Sequence, residues 1–365
     1  MRQSATQFMK DEYPTGKADL MTAFMVRAQE LTLQRGTWAM INLPSWMSLK
    51  SFEDLRHDLL RDQRIVSMVH LGRGIFGSDF GTVAFVVDNA PAKSAHGVYR
   101  RLFEQHVDVR SVSTIEALFR DTTYNRYEVA QADFAAIPGS PIVYWLSEKM
   151  RGSFSTGKPL SEVANLRQGL ATADNNRFLR QWWEVSTSRT AFGCTSREEA
   201  VVSGARWFPY NKGGEFRKWY GNQEHVVNWE HDGAEIVAFK PRSVIRNPGT
   251  YFSPSVSWSD ISSGDAAFRR FPAGFIHDVK GMSAFGDVGT LDRVGLLMNS
   301  SFARTILRAV APTLNFQIGD VGKVPVHGLA ELPLDAATLV ATARMDWDCF
   351  ETSWNFERNP LCALV

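Results

Sequence analysis

The chain has 365 residues, of which 44% are hydrophobic and 22% charged, and its formal net charge at pH 7 is +1. This composition is typical of a globular protein of two or three domains, and it excludes a histone-like polycation while still permitting a locally basic surface. Three scattered cysteines, no apolar signal core and no run of about 20 apolar residues predict a cytoplasmic protein without a disulfide framework or a membrane span.

The first 90 residues alternate between helical and strand patterns. Residues 18–34 place Leu20, Phe24 and Leu31 on one helical face. The segments that follow predict a strand at 38–42, a helix at 51–61, and strands at 65–71 and 82–87. This order is typical of the second half of a doubly wound sheet, whose first half normally carries a nucleotide-binding glycine loop. Only a short tail precedes residue 18, so we expect the sheet to be incomplete at its N-terminal side.

The pattern changes twice after residue 90. Residues 89–141 read as short helices with polar joints, and Pro138-Gly139-Ser140-Pro141 predicts a linker. Residues 158–326 are rich in short apolar strands, tryptophan and glycine, and residues 334–350 return to helical spacing.

Residues 206–229 interleave aromatic rings with cations around a Gly213-Gly214 turn. Seven rings (Trp207, Phe208, Tyr210, Phe216, Trp219, Tyr220 and Trp229) lie among Arg206, Lys212, Arg217 and Lys218. Rings that stack on bases and cations that hold phosphates favour a nucleic-acid surface, and the alternative is an unusually aromatic core. Lys212 itself is either presented to phosphate by the turn or lies at a solvated hairpin tip.

Three parts of the chain, taken together, resemble the adenine-specific DNA methyltransferases of BREX (PglX-like) phage-defence systems, which are related to type IIG restriction-modification enzymes. The resemblance covers nearly the whole chain, and it is carried by residues 17–24 with 35–46, residues 166–178 with 206–229, and residues 312–321 with 346–356.

The resemblance implies an α/β fold: a partial Rossmann-like methyltransferase sheet, a mixed α/β target-recognition domain and a helical tail. The implied domains are the C-terminal half of the methyltransferase domain (1–90), a helical connector (91–154), the DNA target-recognition domain (155–328) and a helical spacer (329–365). In the intact enzyme the cofactor would be S-adenosylmethionine, and the partner would be double-stranded DNA.

The resemblance also assigns sites to individual residues. Leu20 and Phe24 match the residues that line the adenine pocket of the cofactor, and their i, i+4 spacing places them on one helical face; plain core packing is the alternative. Phe76 matches the ring that stacks on an extruded target adenine, because chemistry on a base inside a duplex requires extrusion. A strand-edge core position is the alternative for Phe76, and Phe80 is a weaker candidate for the same role.

The implied DNA contacts fall in two groups. Arg206, Lys212, Arg217, Lys218 and Trp219 belong to the aromatic segment, and Lys212, Arg217 and Lys218 would supply salt-dependent contacts with phosphates. Asn175 and Arg177 lie at the start of the recognition region, next to Asp174 and Asn176. Amide and carboxylate groups there match the donors and acceptors of base edges, but the same residues also form turns.

The chain departs from the family in its catalytic motifs. It contains no Asn-Pro-Pro-Tyr tetrapeptide; Asn42-Leu43-Pro44-Ser45-Trp46 lacks the Pro-Pro turn, and Gly72-x-Gly74 has no helix after it. The eight histidines show no metal-ligand spacing. We therefore assign no catalytic residue and no metal to this chain, and we expect that alone it does not transfer a methyl group. It would be part of an intact enzyme, a truncated DNA-binding module, or one half of a split enzyme that pairs with a separately encoded N-terminal methyltransferase half or other BREX proteins.

Overall fold

The computed structural model describes residues 3–77, 80–91, 96–104, 109–262, 264–311, 315–328 and 335–363. The chain divides into two compact units, residues 1–156 and 157–365. Helices and several sheets are mixed along the chain, which confirms the predicted α/β fold class. None of the described helices is both long and apolar enough to cross a membrane.

The first unit is built on one five-stranded sheet of order β1-β3-β2-β4-β5. Its strands are β1 (Thr37–Asn42), β2 (Arg64–Gly72), β3 (Thr82–Asp88), β4 (His96–Arg101) and β5 (Arg126–Ala130). Its helices are α1 (Gln3–Glu12), α2 (Leu20–Leu31), α3 (Glu53–Asp62), α4 (Val112–Arg120), α5 (Ala132–Ala135) and α6 (Glu148–Thr156). The helix, strand, helix, strand, strand order predicted for the first 90 residues is therefore confirmed.

The direction of the strands brings the carboxyl ends of β1 and β2 to one edge of this sheet. β1 and β2 both run antiparallel to β3, which lies between them, so β1 and β2 are parallel to each other. Their carboxyl ends therefore meet at the same edge, where open α/β sheets bind ligands. Below that edge the core is aromatic, with Trp46, Phe85 and Tyr99 buried in one cluster.

Residues 91–154, which we predicted as a helical connector, also contribute strands. β4 pairs with β2 in parallel, and β5 pairs with β4 antiparallel, so the segment extends the sheet of the first unit. Over its first four residues β4 alternates exposed or half-buried positions with the buried Gly97 and Tyr99, and the next residue, Arg100, is buried as well. The alternation covers too few residues, and polar residues flank it, so the sequence did not predict a strand here.

The predicted linker at residues 138–141 is wrong. Ser140 is buried, and the buried guanidinium of Arg56 donates two hydrogen bonds to the Gly139 carbonyl oxygen, at 3.0 Å and 2.6 Å. The same guanidinium donates to the carbonyl oxygens of Trp46 and Leu49. The Pro-Gly-Ser-Pro turn therefore serves as part of the shell that satisfies a buried cation.

The second unit contains two four-stranded sheets, of order β13-β9-β10-β8 and β12-β11-β14-β7, and a two-stranded β15-β6 pair. Its strands are β6 (Lys158–Pro159), β7 (Asn165–Arg167), β8 (Leu179–Gln181), β9 (Trp207–Asn211), β10 (His225–Asn228), β11 (Ser255–Ser259), β12 (Phe268–Phe271), β13 (Ile276–His277), β14 (Gly281–Phe285) and β15 (Pro325–Val326). Its helices are α7 (Leu160–Val163), α8 (Asn175–Phe178), α9 (Arg197–Val202), α10 (Glu230–Ala238), α11 (Val288–Met298), α12 (Ser301–Val310), α13 (Ile318–Val321) and α14 (Ala336–Asp348).

The tail helix α14 was expected at residues 334–350, and it packs on the second unit. Trp347 is buried, and the indole nitrogen of Trp182 donates to the Thr352 carbonyl oxygen at 2.9 Å. Trp354 packs against the rings of Phe192 and Phe275. Residues 312–314 of the resembling segment 312–321 lie outside the described residues.

Candidate nucleic-acid interface

Phe76 lies at the carboxyl edge of the first sheet, in a 3-10 turn directly after β2. Its backbone is left-handed (φ 57°), and its side chain is 72% exposed. A bulky residue in this conformation is strained by about 1–3 kcal/mol, and such strain concentrates at ligand sites. The alternative that Phe76 is a core residue is therefore wrong. The ring is held out from the edge where the parallel strands end.

Leu20 and Phe24 form an exposed apolar pair on α2. They are 54% and 57% exposed, whereas Met25 on the opposite side of the helix is buried against the sheet. Asp19 caps the helix by accepting a hydrogen bond from the Met21 amide at 3.0 Å. Plain core packing, the alternative for this pair, is wrong.

The position of α2 brings this pair toward the edge that carries Phe76. Met21 and Met25, in the first half of the helix, pack in the same cluster as Trp46, which follows the carboxyl end of β1. A short turn joins the other end of α2 to the start of β1. The first turns of α2 and the loop after β2 therefore belong to one side of the sheet.

Most rings of segment 206–229 belong to the core. Trp207, Phe208, Tyr210, Tyr220 and Trp229 are all buried. Trp207, Phe208 and Tyr210 lie on β9, every residue of which is buried, and Phe208, Tyr210 and Trp229 pack in one core cluster. The interpretation of these five rings as a stacking surface is wrong, and the aromatic-core alternative is right for them. Trp219 is half-buried, and Phe216 is 58% exposed.

Two of the predicted DNA-binding arginines share one carboxylate. Both Nε and Nη2 of Arg177 donate to Glu235 Oε1, at 3.0 Å and 2.8 Å, and Arg206 Nη2 lies 3.8 Å from Glu235 Oε2. Hydrogen bonding from Arg177 holds the pKa of Glu235 below its usual value. Arg177 also stacks on the rings of Phe178 and Phe239. Both arginines stay partly exposed, so their outer donors can still reach a ligand.

Lys212 is the counter-ion of a buried carboxylate. Its amine lies 2.8 Å from Oδ2 of Asp278, which is 1% exposed. The Tyr210 hydroxyl donates to the same oxygen at 2.5 Å, and the Lys280 amide donates to Oδ1 at 2.6 Å. Burial, and then the charge of Asp278, raises the pKa of Tyr210 well above its usual value. Lys212 is therefore part of the protein's internal structure and is not at a freely solvated hairpin tip.

Arg217, Lys218 and Trp219 lie in the long connection between β9 and β10. Arg217 Nη1 lies 2.8 Å from Asp346 Oδ2, and its guanidinium stacks on Trp347 of α14. Lys218 Nζ donates to the Asn299 carbonyl oxygen at 2.8 Å. The backbone amide of Trp219 donates to the Phe268 carbonyl oxygen at 2.9 Å. These contacts, two from side chains and one from the backbone, anchor the connection to the rest of the second unit.

A cleft of about 350 Å³ brings together three residues that the sequence analysis named, Asn175, Asn176 and Lys212. It is lined by Asn175, Asn176, Leu179, Arg180, Gln181, Glu184, Lys212 and His225. Thr172 donates its hydroxyl hydrogen to Asn175 Oδ1 at 2.8 Å, so the exposed Asn175 keeps its amide nitrogen as a donor. Asp174 instead caps α8 by accepting from the Arg177 amide, as a turn-forming residue does.

Sequence reasoning missed Arg180, Gln181 and His225 in this cleft. They occupy the paired strands β8 and β10, and His225 faces Gln181 in the register. A two-strand register is not readable from strands of three and four residues, so no sequence signal pointed to them. Burial lowers the pKa of His225, which makes its ring a neutral donor and acceptor at pH 7. Among the described residues, no group of three His, Cys, Asp or Glu side chains is placed to hold a metal ion.

Comparison with known proteins identifies related sequences along nearly the whole chain. Residues 1–76 match the family model of Eco57I restriction-modification methylases. The adenine-specific methyltransferase PglX of Lacticaseibacillus casei (strain Zhang) is 35% identical over 99% of this chain and 31% of its own length. The adenine-specific methyltransferase BrxX of Escherichia coli O9:H4 (strain HS) is 34% identical over 97% of this chain and 29% of its own length. The chain thus spans less than a third of these two relatives.

One solved structure among the matches is a nuclease-deletion mutant of the type ISP restriction-modification enzyme LlaGI in complex with a DNA substrate mimic. It is 10% identical, with a TM-score of 0.47, and covers 90% of this chain and 31% of its own.

Proposed function

The chain is a relative of the PglX-like adenine-specific methyltransferases over nearly its whole length, and we propose that it is the target-recognising part of an adenine-N6 DNA methyltransferase. The observation that carries the proposal is the 35% identity to PglX over 99% of the chain. The first unit would hold part of the cofactor and the extruded base. The second unit would bind duplex DNA.

The described residues offer only one wall of a binding pocket for S-adenosylmethionine, the wall that would contact its adenine ring. Leu20 and Phe24 offer an exposed apolar wall of the kind that packs against an adenine ring, at the edge of the sheet where ligands bind. The cofactor would supply the methyl group. The sequence has no Asn-Pro-Pro-Tyr tetrapeptide to orient the amine of the target base, so we propose that the chain by itself does not catalyse transfer.

Phe76 would stack on the target adenine after extrusion from the duplex. Extrusion costs a few kcal/mol, and stacking on a ring recovers about 1–3 kcal/mol of it. The exposed ring and the left-handed backbone of Phe76 support this role, because the ring is already directed away from the core before DNA binds.

The cleft beside Lys212 would contact the duplex. Asn175 offers an amide donor, and Arg180 and Lys212 offer positive charge at its walls. A phosphate that replaces Asp278 as the partner of Lys212 would leave that carboxylate buried without its cation, so we propose that Lys212 contacts phosphate through its remaining donors.

A split enzyme is the second candidate, because the first unit has an uncovered side. Within the described residues β1 pairs with β3 alone, and Leu31 and Ile41 are exposed on α2 and β1. An edge strand with free amides and carbonyls readily pairs with another strand. A separately encoded N-terminal methyltransferase half would cover this side, with other BREX proteins as further partners.

The test measures binding and chemistry separately. Fluorescence anisotropy with unrelated 30-base-pair duplexes should show binding by the chain alone that weakens steeply with salt. Transfer of tritiated methyl from S-adenosylmethionine should require addition of the N-terminal half that carries the tetrapeptide. Absence of duplex binding at low salt would refute the proposal. Transfer by the chain alone would refute the assignment of catalysis to another segment.

A further inference from the structure

The connection between β9 and β10 is unusually long and unusually well held. It runs over residues 212–224, whereas most hairpin connections have about two to five residues, and longer ordered ones are usually functional. Five of its residues have left-handed backbones: Gly213, Gly214, Trp219, Gly221 and Asn222. Two of them are not glycine, so the conformation is maintained by contacts outside the connection.

The buried guanidinium of Arg269 is the centre of those contacts. It is 1% exposed, and it donates to the carbonyl oxygens of Glu215 and Arg217, each at 3.3 Å. Asn222 donates to the same Glu215 oxygen at 2.9 Å, and Ser259 donates to the Gly214 oxygen at 2.7 Å. These hydrogen bonds hold the backbone before and after Phe216 against the interior of the second unit.

The side chains that follow are fixed as well. Arg217 is tied to Asp346, Lys218 to the Asn299 carbonyl, and Trp219 pairs with β12 through its backbone. Phe216 differs from them, because its ring is 58% exposed although its backbone is held from within. An apolar ring on a rigid support loses little conformational entropy when it inserts into a partner.

We propose that Phe216 is a wedge that inserts at a base step of duplex DNA, with Arg269 as the residue that positions it; this rests on the DNA binding proposed above. Apolar wedges of this kind partly unstack a step and kink the duplex by about 20–90°. Lys212, Arg217 and Lys218 lie in the same connection, and each is partly exposed beyond its protein partner, so they bring positive charge beside the step. These cations favour DNA as the partner of the ring over an apolar protein surface.

The test compares Phe216→Ala with a matched control, Phe350→Ala, which removes another half-exposed ring from the second unit. Affinity is measured by anisotropy over a range of salt, and bending by energy transfer between dyes at the two ends of a duplex. Loss of one stacked base should weaken binding by about 5- to 150-fold. Since no cation is removed, the salt slope should not change. The bend should disappear in Phe216→Ala and persist in Phe350→Ala.

A second variant addresses the support beneath the ring. In Gly214→Ala the new Cβ would lie 2.6 Å from the Asn222 amide nitrogen at a φ of +129°. The substitution should therefore shift the connection that supports the ring, while the Phe216 side chain itself is retained. We expect it to reduce the bend as well. Urea unfolding of all three variants separates an effect on binding from one on folding.

Each other outcome overturns the proposal in a distinguishable way. Wild-type affinity and bending in Phe216→Ala would leave DNA binding intact and remove the wedge. If Phe216→Ala sedimented as a different oligomer from the wild-type chain but bound DNA with the same affinity, the ring would be assigned to a contact between protein chains. No duplex binding by the wild-type chain would remove the proposed function and the wedge together.

Discussion

Replacing Lys212 with alanine should destabilise the second unit, because it removes the cation from a buried carboxylate. Asp278 is 1% exposed and would keep only its hydrogen bonds from Tyr210 and the Lys280 amide. An exposed ion pair contributes about 0–1 kcal/mol, and breaking a fully buried one costs about 3–5 kcal/mol. The side chain of Lys212 is 29% exposed, so we expect a loss of about 2 kcal/mol in the free energy of unfolding.

The assay is urea unfolding at pH 7, followed by tryptophan fluorescence. Lys218→Ala is the control, since it loses one hydrogen bond to the Asn299 carbonyl and should cost about 1 kcal/mol or less. In the double variant Lys212→Ala/Asp278→Asn the unpaired charge is gone, so its loss should be smaller than the sum of the single losses by about 1–2 kcal/mol. Additive losses, or a Lys212→Ala variant as stable as wild type, would refute this reasoning.

Three further predictions concern DNA, the extruded base and pH. Lys212→Ala with Lys218→Ala should weaken binding about equally across unrelated duplexes and lower the salt slope by about 2; an unchanged slope would assign both amines to their protein partners alone. In a reconstituted enzyme, Phe76→Ala should reduce the fluorescence change of 2-aminopurine at the target position, and a signal equal to wild type would exclude the stacking role. Burial lowers the pKa of His277 from 6.5 to about 4. The unfolded chain therefore binds the proton first, and the stability contributed by neutral His277, fully present above pH 6.5, should fall by about 2 kcal/mol between pH 7 and pH 5. His277→Leu should flatten that part of the stability profile measured by urea unfolding, and an unaltered slope would contradict the assignment.

The helices and strands from α2 to β3 were predictable because their signals are local. Helical spacing in α2, the apolar runs in β1 and β3, and the mostly apolar β2 are visible within ten residues. β4 and β5 were missed because their short runs of six and five residues are only half-buried and lie between polar segments.

The site was only partly predictable, since a residue type does not reveal its partners. The β9 rings of Phe208 and Tyr210 are buried in a cluster with residues as distant in sequence as Phe178 and Ile276. The cations are tied to carboxylates as distant in sequence as Asp278 and Asp346. The sequence singled out Phe76 by resemblance, but the exposure of the Phe76 and Phe216 rings is known only from the structure.

The most direct test of the central claim is the map of N6-methyladenine in the DNA of the source cell, with the gene intact and with it deleted. Modified-base sequencing should show one DNA motif that is methylated in the intact strain and unmethylated after deletion, and that regains the mark when the gene is restored. An identical map in both strains would contradict the proposal that this chain recognises the target of an adenine methyltransferase.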